Sequence, residues 1–245
     1  MPTGCVTREP DFADHHRIRR HIPPVELEVS IHKDWDEGVV DDLAGLPIVT
    51  AHAVKAIGAT LSGDDPAFDR FALDCRIASA LGARLLVLHL WELPDGDRYL
   101  DRNLAHLPAL LDLAEEHGLA LTVETVPCTA GTPVENVVRA CERDDRCRVT
   151  LDTEFLGLHG QLDAALEIAE LVAHVHAKDF RPDVWGTKPR RYFLPGEGVL
   201  DIFGFLERLR HDGTVTLEFS AVRDDGTVDA VRLEEGLAWL HRLAE

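Results

Sequence analysis

The sequence predicts an α/β protein built as one (β/α)8 barrel, the TIM-barrel architecture, as a single domain over residues 1–245. Short runs rich in Val, Leu, Ile and Thr alternate with longer segments whose apolar residues recur at helical spacing. Such alternation implies parallel strands joined by right-handed crossovers. The chain is long enough for eight βα units, and no linker or low-complexity tract marks a second domain. A doubly wound open sheet is the main alternative, but no GxGxxG follows the first strand.

The strands are recognised as short β-type runs that end at polar residues. Residues 25–29 (VELEV) alternate strictly, and residues 84–90 (RLLVLHL) form the apolar run of a parallel strand buried on both faces. In chain order, strands are predicted over residues 3–7, 25–29, 47–52, 84–90, 119–125, 147–152, 172–177 and 214–220.

Helical segments separate these strands, and cap residues mark some of their ends. Asp64-Asp65-Pro66 supplies a cap and a first-turn proline, and Gly118 ends the longest helix. The helical segments are predicted over residues 11–21, 36–46, 64–82, 97–117, 133–143, 161–170, 199–210 and 228–244. A long loop rich in Pro, Arg and Gly follows the seventh strand.

The composition limits the classes of partner. The chain carries 44 acidic residues against 25 Lys and Arg, a formal net charge of −19, which disfavours nucleic acid and anionic membranes. The five cysteines lack CxxC spacing and predict reduced thiols. With no N-terminus of signal-peptide type and no apolar run of transmembrane length, the expected location is the cytoplasm.

The segment Leu171–Phe180 (LVAHVHAKDF) places three polar side chains on one face of an apolar strand. Successive side chains of a strand alternate faces, so His174, His176 and Lys178 point the same way. A related pattern ends three other strands, where an acid stands two residues after a Thr. These acids are Glu124, Asp152 and Glu218.

These strand ends predict a metal site, because the C-terminal ends of barrel strands line the active-site mouth. Carboxylates gathered there would raise one another's pKa values, and a divalent ion would remove that repulsion. We expect one divalent metal ion held by four residues: Glu124, Asp152, His176 and Glu218. Oxygen-rich ligation with a single imidazole favours Mn²⁺, Mg²⁺ or Co²⁺, with Zn²⁺ as an alternative. The alternative for any one acid is a solvated strand end.

Five segments carry a resemblance to a known family: LALTVETVP (119–127), VTLDT (149–153), HVHAKD (174–179), PGEG (195–198) and TLEF (216–219). They resemble the xylose isomerase-like TIM-barrel family, which includes sugar phosphate isomerases and epimerases, and the resemblance covers most of the chain. It implies the same four metal ligands. It also implies that Glu124 and Glu218 are catalytic and exchange protons with carbons beside the metal-bound oxygens.

By this resemblance, the protein is expected to be a metal-dependent isomerase or epimerase (EC 5-type) of a sugar, sugar phosphate or cyclitol-like ketone. Proton abstraction beside a carbonyl gives an enediolate that a metal stabilises, and a base on each side permits inversion. Two alternatives stay open: a metal-dependent lyase or dehydratase acting on a similar substrate, and a non-catalytic barrel subunit. The expected partner is the carbohydrate-like small molecule, with a homodimer as an open alternative.

Six further residues are candidates for substrate binding: His52, His89, Trp91, Lys178, Arg190 and Arg191. Trp91 could stack on a sugar face. The two histidines could instead be packed or hydrogen-bonded strand residues, and the two arginines could be surface charge on the long loop. Lys178 could contact a substrate oxygen, neutralise neighbouring acids or be a solvated strand end.

The sequence departs from the family pattern at two places. The motif after the sixth strand commonly reads Asp-Thr-x-His, but Phe155 stands here in place of the His and cannot bind metal or a hydroxyl. It points to altered chemistry on a more apolar substrate, or to loss of activity. The endonuclease branch also needs Asp-x-His before GEG, where this chain has Arg190-Arg191-Tyr192. A three-zinc phosphodiesterase site is therefore not expected.

Overall fold

Eight parallel strands close into a barrel in the computed structural model of the protein, which describes residues 3–7, 26–63, 67–186, 192–219 and 227–244. The strands are β1 (Thr3–Thr7), β2 (Glu26–Ser30), β3 (Ile48–His52), β4 (Leu85–Leu88), β5 (Ala120–Glu124), β6 (Arg148–Asp152), β7 (Val172–Ala177) and β8 (Thr214–Phe219). Each strand pairs with the next one in the chain, and β8 pairs with β1 to complete the ring. The predicted (β/α)8 barrel is confirmed.

Helices connect the strands around the outside of the barrel. They are α1 (Val39–Asp42), α2 (Ile57–Leu61), α3 (Phe68–Ala80), α4 (Leu100–Glu116), α5 (Pro133–Arg143), α6 (Thr153–Leu158), α7 (Leu162–Leu166), α8 (Ile202–Leu209) and α9 (Ala230–Ala244). None of the helices in the described ranges is both long and apolar enough to cross a membrane. The segment predicted as helical over residues 11–21 lies outside the described residues, as do residues 64–66.

The connection between β6 and β7 differs from the single helix predicted over residues 161–170. Two short helices, α6 and α7, and a 3₁₀ turn (Ala169–Leu171) take its place. Helix α6 begins directly at the end of β6, because Asp152 Oδ1 accepts the backbone N–H of Phe155 at 3.1 Å. Gly160 then breaks the helical path with a φ of 62°.

Strands β5, β6 and β8 alternate between apolar side chains that face the helices and polar side chains that face the barrel interior. Outward residues such as Leu121, Leu151 and Leu217 are buried in the core between the sheet and the helices. Hydrogen bonds join interior groups on strands that are not neighbours, such as Glu28 on β2 and His174 on β7. The barrel interior is therefore a polar compartment enclosed by an apolar shell.

Described residues on both sides of the loop after β7 fold onto Asp179, which follows that strand closely. The Asp179 carboxylate accepts four backbone N–H groups at 2.7–3.0 Å, those of Phe180, Gly196, Gly198 and Leu200. A Cβ at Gly198 would lie 2.3 Å from Asp179 Oδ1, so this position of the PGEG segment needs glycine. The contact anchors the part of the loop that follows Tyr192.

Two contacts join the loops that follow β4 and β5. The Trp91 Nε1–H donates to the Pro127 carbonyl oxygen at 3.1 Å. Asp97 accepts three backbone N–H groups at 2.8–3.1 Å, those of Thr129, Ala130 and Gly131. Burial opposes the charge of Asp97, but these donors outweigh it and hold the pKa of Asp97 below its ordinary value. The loop that follows Glu124 is thus fixed by a carboxylate of the preceding loop.

Asp97→Asn should lower the free energy of unfolding by about 1–3 kcal/mol at pH 7, because the amide gives the three N–H donors a weaker acceptor without charge. The folded-state pKa of Asp97 lies below the unfolded value. Its contribution is therefore complete above about pH 4 and is lost as the pH falls through the folded-state pKa. Urea unfolding should show a larger difference between wild type and variant at neutral pH than in acid.

The matched control for this prediction is Asp101→Asn, because Asp101 is exposed and pairs only at the surface with Arg139. Its replacement should change stability little at either pH. Equal destabilisation by Asp97→Asn at both pH values would contradict the charge-based account of the loop.

Candidate metal and active site

Strand ends on one side of the barrel bring three imidazoles onto one carboxylate, that of Glu124 at the end of β5. Glu124 Oε2 lies 3.0 Å from His52 Nε2 and 2.6 Å from His89 Nε2. Glu124 Oε1 lies 3.0 Å from His176 Nδ1. The Nδ1–H of His52 donates to the Ala53 carbonyl oxygen at 2.7 Å, which turns Nε2 of this ring towards Glu124. All four interacting side chains are buried.

A second carboxylate, that of Glu28 on β2, lies at the other nitrogen of His176. His176 Nε2 is 3.0 Å from Glu28 Oε1 and 3.3 Å from Oε2. The Oε2 atom also lies 2.9 Å from His174 Nε2, and the Thr216 hydroxyl donates to it at 3.2 Å. The His176 ring is thus held between two carboxylates, one at each nitrogen.

The ammonium group of Lys178 is fully buried among three acids. Its Nζ lies 2.6 Å from Asp152 Oδ2 and 3.4 Å from Glu154 Oε2, and it donates a hydrogen bond to Glu218. The buried Asp152 Oδ2 has this ion-pair partner and no hydrogen-bond partner among the described residues. Among the alternatives for Lys178, the structure shows contact with neighbouring acids, and burial excludes the solvated strand end.

Aromatic side chains enclose Lys178. Its Nζ lies 4.5 Å from the ring centroid of Phe155 and 5.8 Å from that of Tyr192. Trp185 packs edge-on against Phe155 and Phe180, with ring centroids 6.0 and 6.1 Å apart. An apolar wall therefore stands where the family pattern has a His. By excluding water, it strengthens the ion pairs beside it.

The charges around His176 make this ring a cation. Burial opposes its charge, but Glu28 and Glu124 outweigh that effect and raise the pKa of His176 well above its ordinary value. Burial likewise opposes the charges of Glu28 and Glu124, but the imidazoles lower the pKa of each carboxyl below its ordinary value. At neutral pH an imidazolium ion therefore lies between two carboxylates.

Burial dominates the titration of two other groups in the site. Burial raises the pKa of Asp152 to about 7; neighbouring acids add to this shift and Lys178 opposes it. Burial lowers the pKa of His89 to about 3 and also lowers the pKa of His174, so both rings are neutral at pH 7. The site therefore combines neutral and charged imidazoles within a few ångströms.

Among the described residues, three groups of side chains hold ligand atoms that lie within 4.8 Å of one another. The groups are Glu28–His174–His176, His52–His89–Glu124 and Glu124–Asp152–His176. The last group stands at successive strand ends and includes Asp152, whose Oδ2 has no hydrogen-bond donor. Two carboxylates and one imidazole are donors that divalent ions accept. The residues present therefore fit a divalent metal ion.

The structure places the four predicted ligands in two linked sets. Glu124, Asp152 and His176 come together, whereas Glu218 is connected to Asp152 through the ammonium group of Lys178. Glu218 therefore reaches the same strand-end layer, but an internal cation lies between it and Asp152.

The predicted substrate-binding residues fall into different environments. His52 and His89 contact Glu124 directly, inside the mouth. Trp91 is fully buried and joins two loops through its indole N–H. Arg190 and Arg191 lie outside the described residues.

Sequence reasoning missed two acids of this cluster, Glu28 and Glu154. A signal for Glu28 exists, because strict alternation in VELEV puts Glu26 and Glu28 on one face of the strand. In a barrel strand whose other face packs against helices, that polar face points into the barrel. No pattern marks Glu154, which lies in α6 and approaches Lys178 only because that helix begins at the barrel rim.

Residues 38–243 match the family model described as xylose isomerase-like TIM barrel. One similar solved structure is 3-keto-D-glucoside 4-epimerase YcjR from E. coli, with a TM-score of 0.70, 16% sequence identity and 99% of each chain covered. A second is D-allulose 3-epimerase from Methylomonas sp., with a TM-score of 0.73 and 15% identity, covering 99% of this chain and 98% of that chain. A third is the probable 3-DHS dehydratase AsbF from Bacillus anthracis, with a TM-score of 0.69 and 12% identity, covering 96% of this chain and 98% of that chain. Identities this low show a shared fold. No curated protein matches the sequence significantly.

Replacing Lys178 with Met should destabilise the metal-free protein by about 3–5 kcal/mol, because the buried acids around it lose their shared cation. A divalent ion should recover part of that loss. The rise in melting temperature caused by saturating MnCl₂ should therefore be larger for the variant than for wild type, as calorimetry can measure.

Lys33→Met serves as the control for this prediction, because Lys33 is exposed. It should leave both the melting temperature and the response to Mn²⁺ unchanged. A Lys178→Met protein as stable as wild type, or one with the same response to Mn²⁺, would contradict the assignment of Lys178 as the internal cation.

Proposed function

The chain belongs to the xylose isomerase-like TIM-barrel family, and on this basis we propose that it is a metal-dependent isomerase or epimerase. The proposed substrate is a sugar, sugar phosphate or cyclitol-like ketone, and the proposed cofactor is one Mn²⁺, Mg²⁺ or Co²⁺ ion, with Zn²⁺ as the alternative. Sugar epimerases with similar folds support this assignment. The net charge of −19 supports a small-molecule partner over nucleic acid or an anionic membrane. The proposed location is the cytoplasm.

One observation carries the proposal. Ligand atoms of Glu124, Asp152 and His176, on three successive strands, lie within 4.8 Å of one another at the strand ends. This is the edge of a (β/α)8 barrel at which active sites lie. Two carboxylates that close repel each other without a cation, and both are buried here. Lys178 and His176 are each shared with a further acid, so a bound divalent ion would relieve the repulsion that these two cations leave.

Glu124 and Glu218 are the proposed proton-transfer groups. Glu124 is ionised because the imidazoles around it lower its pKa, so it can accept a proton from a substrate carbon. Glu218 stands on β8, separated from β5 by two strands, and is held by the Lys178 ammonium group. Carboxyl groups on separate strands can serve the two faces of a substrate carbon, as inversion of a stereocentre requires.

Asp152 and His176 are proposed to hold the ion together with the two glutamates. When bound, the ion would supply Lewis-acid polarisation of the substrate carbonyl. Lys178 would have to leave the space between Asp152 and Glu218 for both acids to serve as ligands. It would then be free to donate to a substrate oxygen at the same rim, in keeping with a substrate-binding role.

A dehydratase acting on a similar substrate is the second candidate, and Phe155 favours it. An apolar ring beside Lys178 gives no hydrogen bond to a hydroxyl, so it suits a substrate or product with fewer hydroxyls at that side. The probable 3-DHS dehydratase that shares the fold supports this alternative. Both candidates begin with the same removal of a proton beside a carbonyl.

We expect protein purified without added metal to contain about one divalent ion per chain by elemental analysis. Glu124→Gln and Asp152→Asn should each remove this ion, because each deletes a charged ligand. The exposed Asp101→Asn is the matched control and should keep the ion. Wild-type protein that binds no divalent ion and is unaffected by chelator would contradict the proposal and favour a non-catalytic barrel.

The same preparations, incubated in D₂O with D-allulose, D-fructose or a 3-keto-D-glucoside, separate the two candidate reactions. Deuterium incorporation beside the carbonyl without loss of water, seen by NMR, would support the isomerase or epimerase. A new conjugated-carbonyl absorbance would support the dehydratase instead.

A further inference from the structure

Glu28 is a buried carboxylate that the proposed proton transfer does not use. It is 1% exposed and lies inside the barrel on β2, away from the strands that carry the predicted ligands. A buried charge needs a specific partner, and Glu28 has three donor groups around it. They are the Nε2 atoms of His174 and His176 and the hydroxyl of Thr216.

We infer that Glu28 is a positioning residue for the metal ligand His176: it holds the proton on Nε2 and so directs Nδ1 to the metal. The inference rests on the proposed function, because it assumes that His176 binds the ion. The contact from which it is drawn, however, does not depend on the proposed function. Glu28 Oε1 lies 3.0 Å from Nε2 of His176, while Nδ1 of the same ring faces Glu124 at 3.0 Å.

The chemistry of the imidazole ring leads from these contacts to the assignment. The Glu28 oxygens lie within hydrogen-bond distance of three groups that can donate, and a carboxylate oxygen accepts, so the ring nitrogen against Glu28 carries a proton. A metal ion that binds this imidazolium ring has to replace one of its two protons, and with the proton on Nε2 held by Glu28 the one replaced is that on Nδ1. That nitrogen belongs to the group with Glu124 and Asp152 at the strand ends. Such a carboxylate fixes both the tautomer and the orientation of a ligating ring.

Glu28 can fulfil this role because it is itself held in place. His174 Nε2 and the Thr216 hydroxyl both contact Oε2, on the far side from the shortest contact with His176. The His174 ring also packs edge-on against the His176 ring, with centroids 4.9 Å apart and planes at 89°. The deeper residues thus restrict both the carboxylate and the ring that it orients.

The rival interpretation makes Glu28, His174 and His176 ligands of a metal of their own, since their atoms also lie within 4.8 Å of one another. The two interpretations use different nitrogens of one ring. A metal at Nε2 would replace the proton that Glu28 accepts, whereas a metal at Nδ1 leaves that proton in place. The nitrogen that binds metal therefore decides between them.

Glu28→Gln tests the inference, with Glu26→Gln as the matched control on the same strand, where Glu26 pairs weakly with Arg84 at 3.8 Å. Titration calorimetry with MnCl₂ should show an affinity about 10–100-fold lower for Glu28→Gln, with unchanged stoichiometry. Glu26→Gln should bind as wild type does. Thr216→Val removes one donor from Glu28 and leaves the His176 residue itself unchanged, and should weaken Mn²⁺ binding by a smaller factor. Thr216→Val keeps the inference testable if Glu28→Gln does not fold.

Nitrogen-15 NMR of histidine-labelled, Zn²⁺-loaded protein supplies a readout that does not depend on turnover. Wild-type His176, assigned with His176→Gln, should show a protonated Nε2 and a metal-bound Nδ1, and Glu28→Gln should lose this single tautomer. Unchanged affinity and tautomer in Glu28→Gln would overturn the inference alone. Metal on Nε2, or complete loss of the ion in Glu28→Gln, would overturn it in favour of the rival site. Wild-type protein that binds no metal would overturn it together with the proposed function.

Discussion

The mouth of this barrel depends on one electrostatic constraint: among the residues that the structure describes, it buries more carboxyl groups than cations. The buried carboxyl groups belong to Glu28, Glu124, Asp152, Glu154 and Glu218, and the cations among them are Lys178 and His176. An unpaired charge in such an interior costs several kcal/mol, so each cation is shared. His176 lies between Glu28 and Glu124, and Lys178 lies between Asp152 and Glu218. The excess of carboxyl groups is the condition that a divalent ion would relieve.

The barrel could be predicted because its determinants are local and repeated. Alternating strand and helix patterns recur along the chain, and the strands of the structure lie within about two residues of the predicted ones. The connection after β6 could not be read in this way. There, Asp152 is both the last residue of β6 and the N-cap of α6. The helix therefore begins directly after the strand, without the turn residues that would mark its start in the sequence. Similarly, the PGEG segment is explained only by Asp179, whose carboxylate accepts hydrogen bonds from the backbone N–H groups of Gly196 and Gly198.

The candidate site was predictable as far as strand ends determine it. A Thr-x-acid pattern at three strand ends, together with HVHAKD, indicates that Glu124, Asp152 and Glu218 share one layer with His176. Contacts across the barrel are a different matter. Glu28 and His174 are 146 positions apart and meet only because the sheet closes. The path of the Lys178 side chain also depends on closure, since it bridges acids on β6 and β8. Periodicity predicts which face of a strand a residue lies on, but it does not determine which side chains inside the barrel contact one another.

The most direct test of this account is anomalous diffraction at the manganese edge from crystals grown with MnCl₂. The account predicts one Mn²⁺ peak bounded by Glu124, Asp152 and His176 Nδ1, with the Lys178 ammonium group displaced from between Asp152 and Glu218. A map without a peak, in which Lys178 still bridges those two acids, would contradict the account. It would show that the internal cation is the permanent occupant of the barrel mouth.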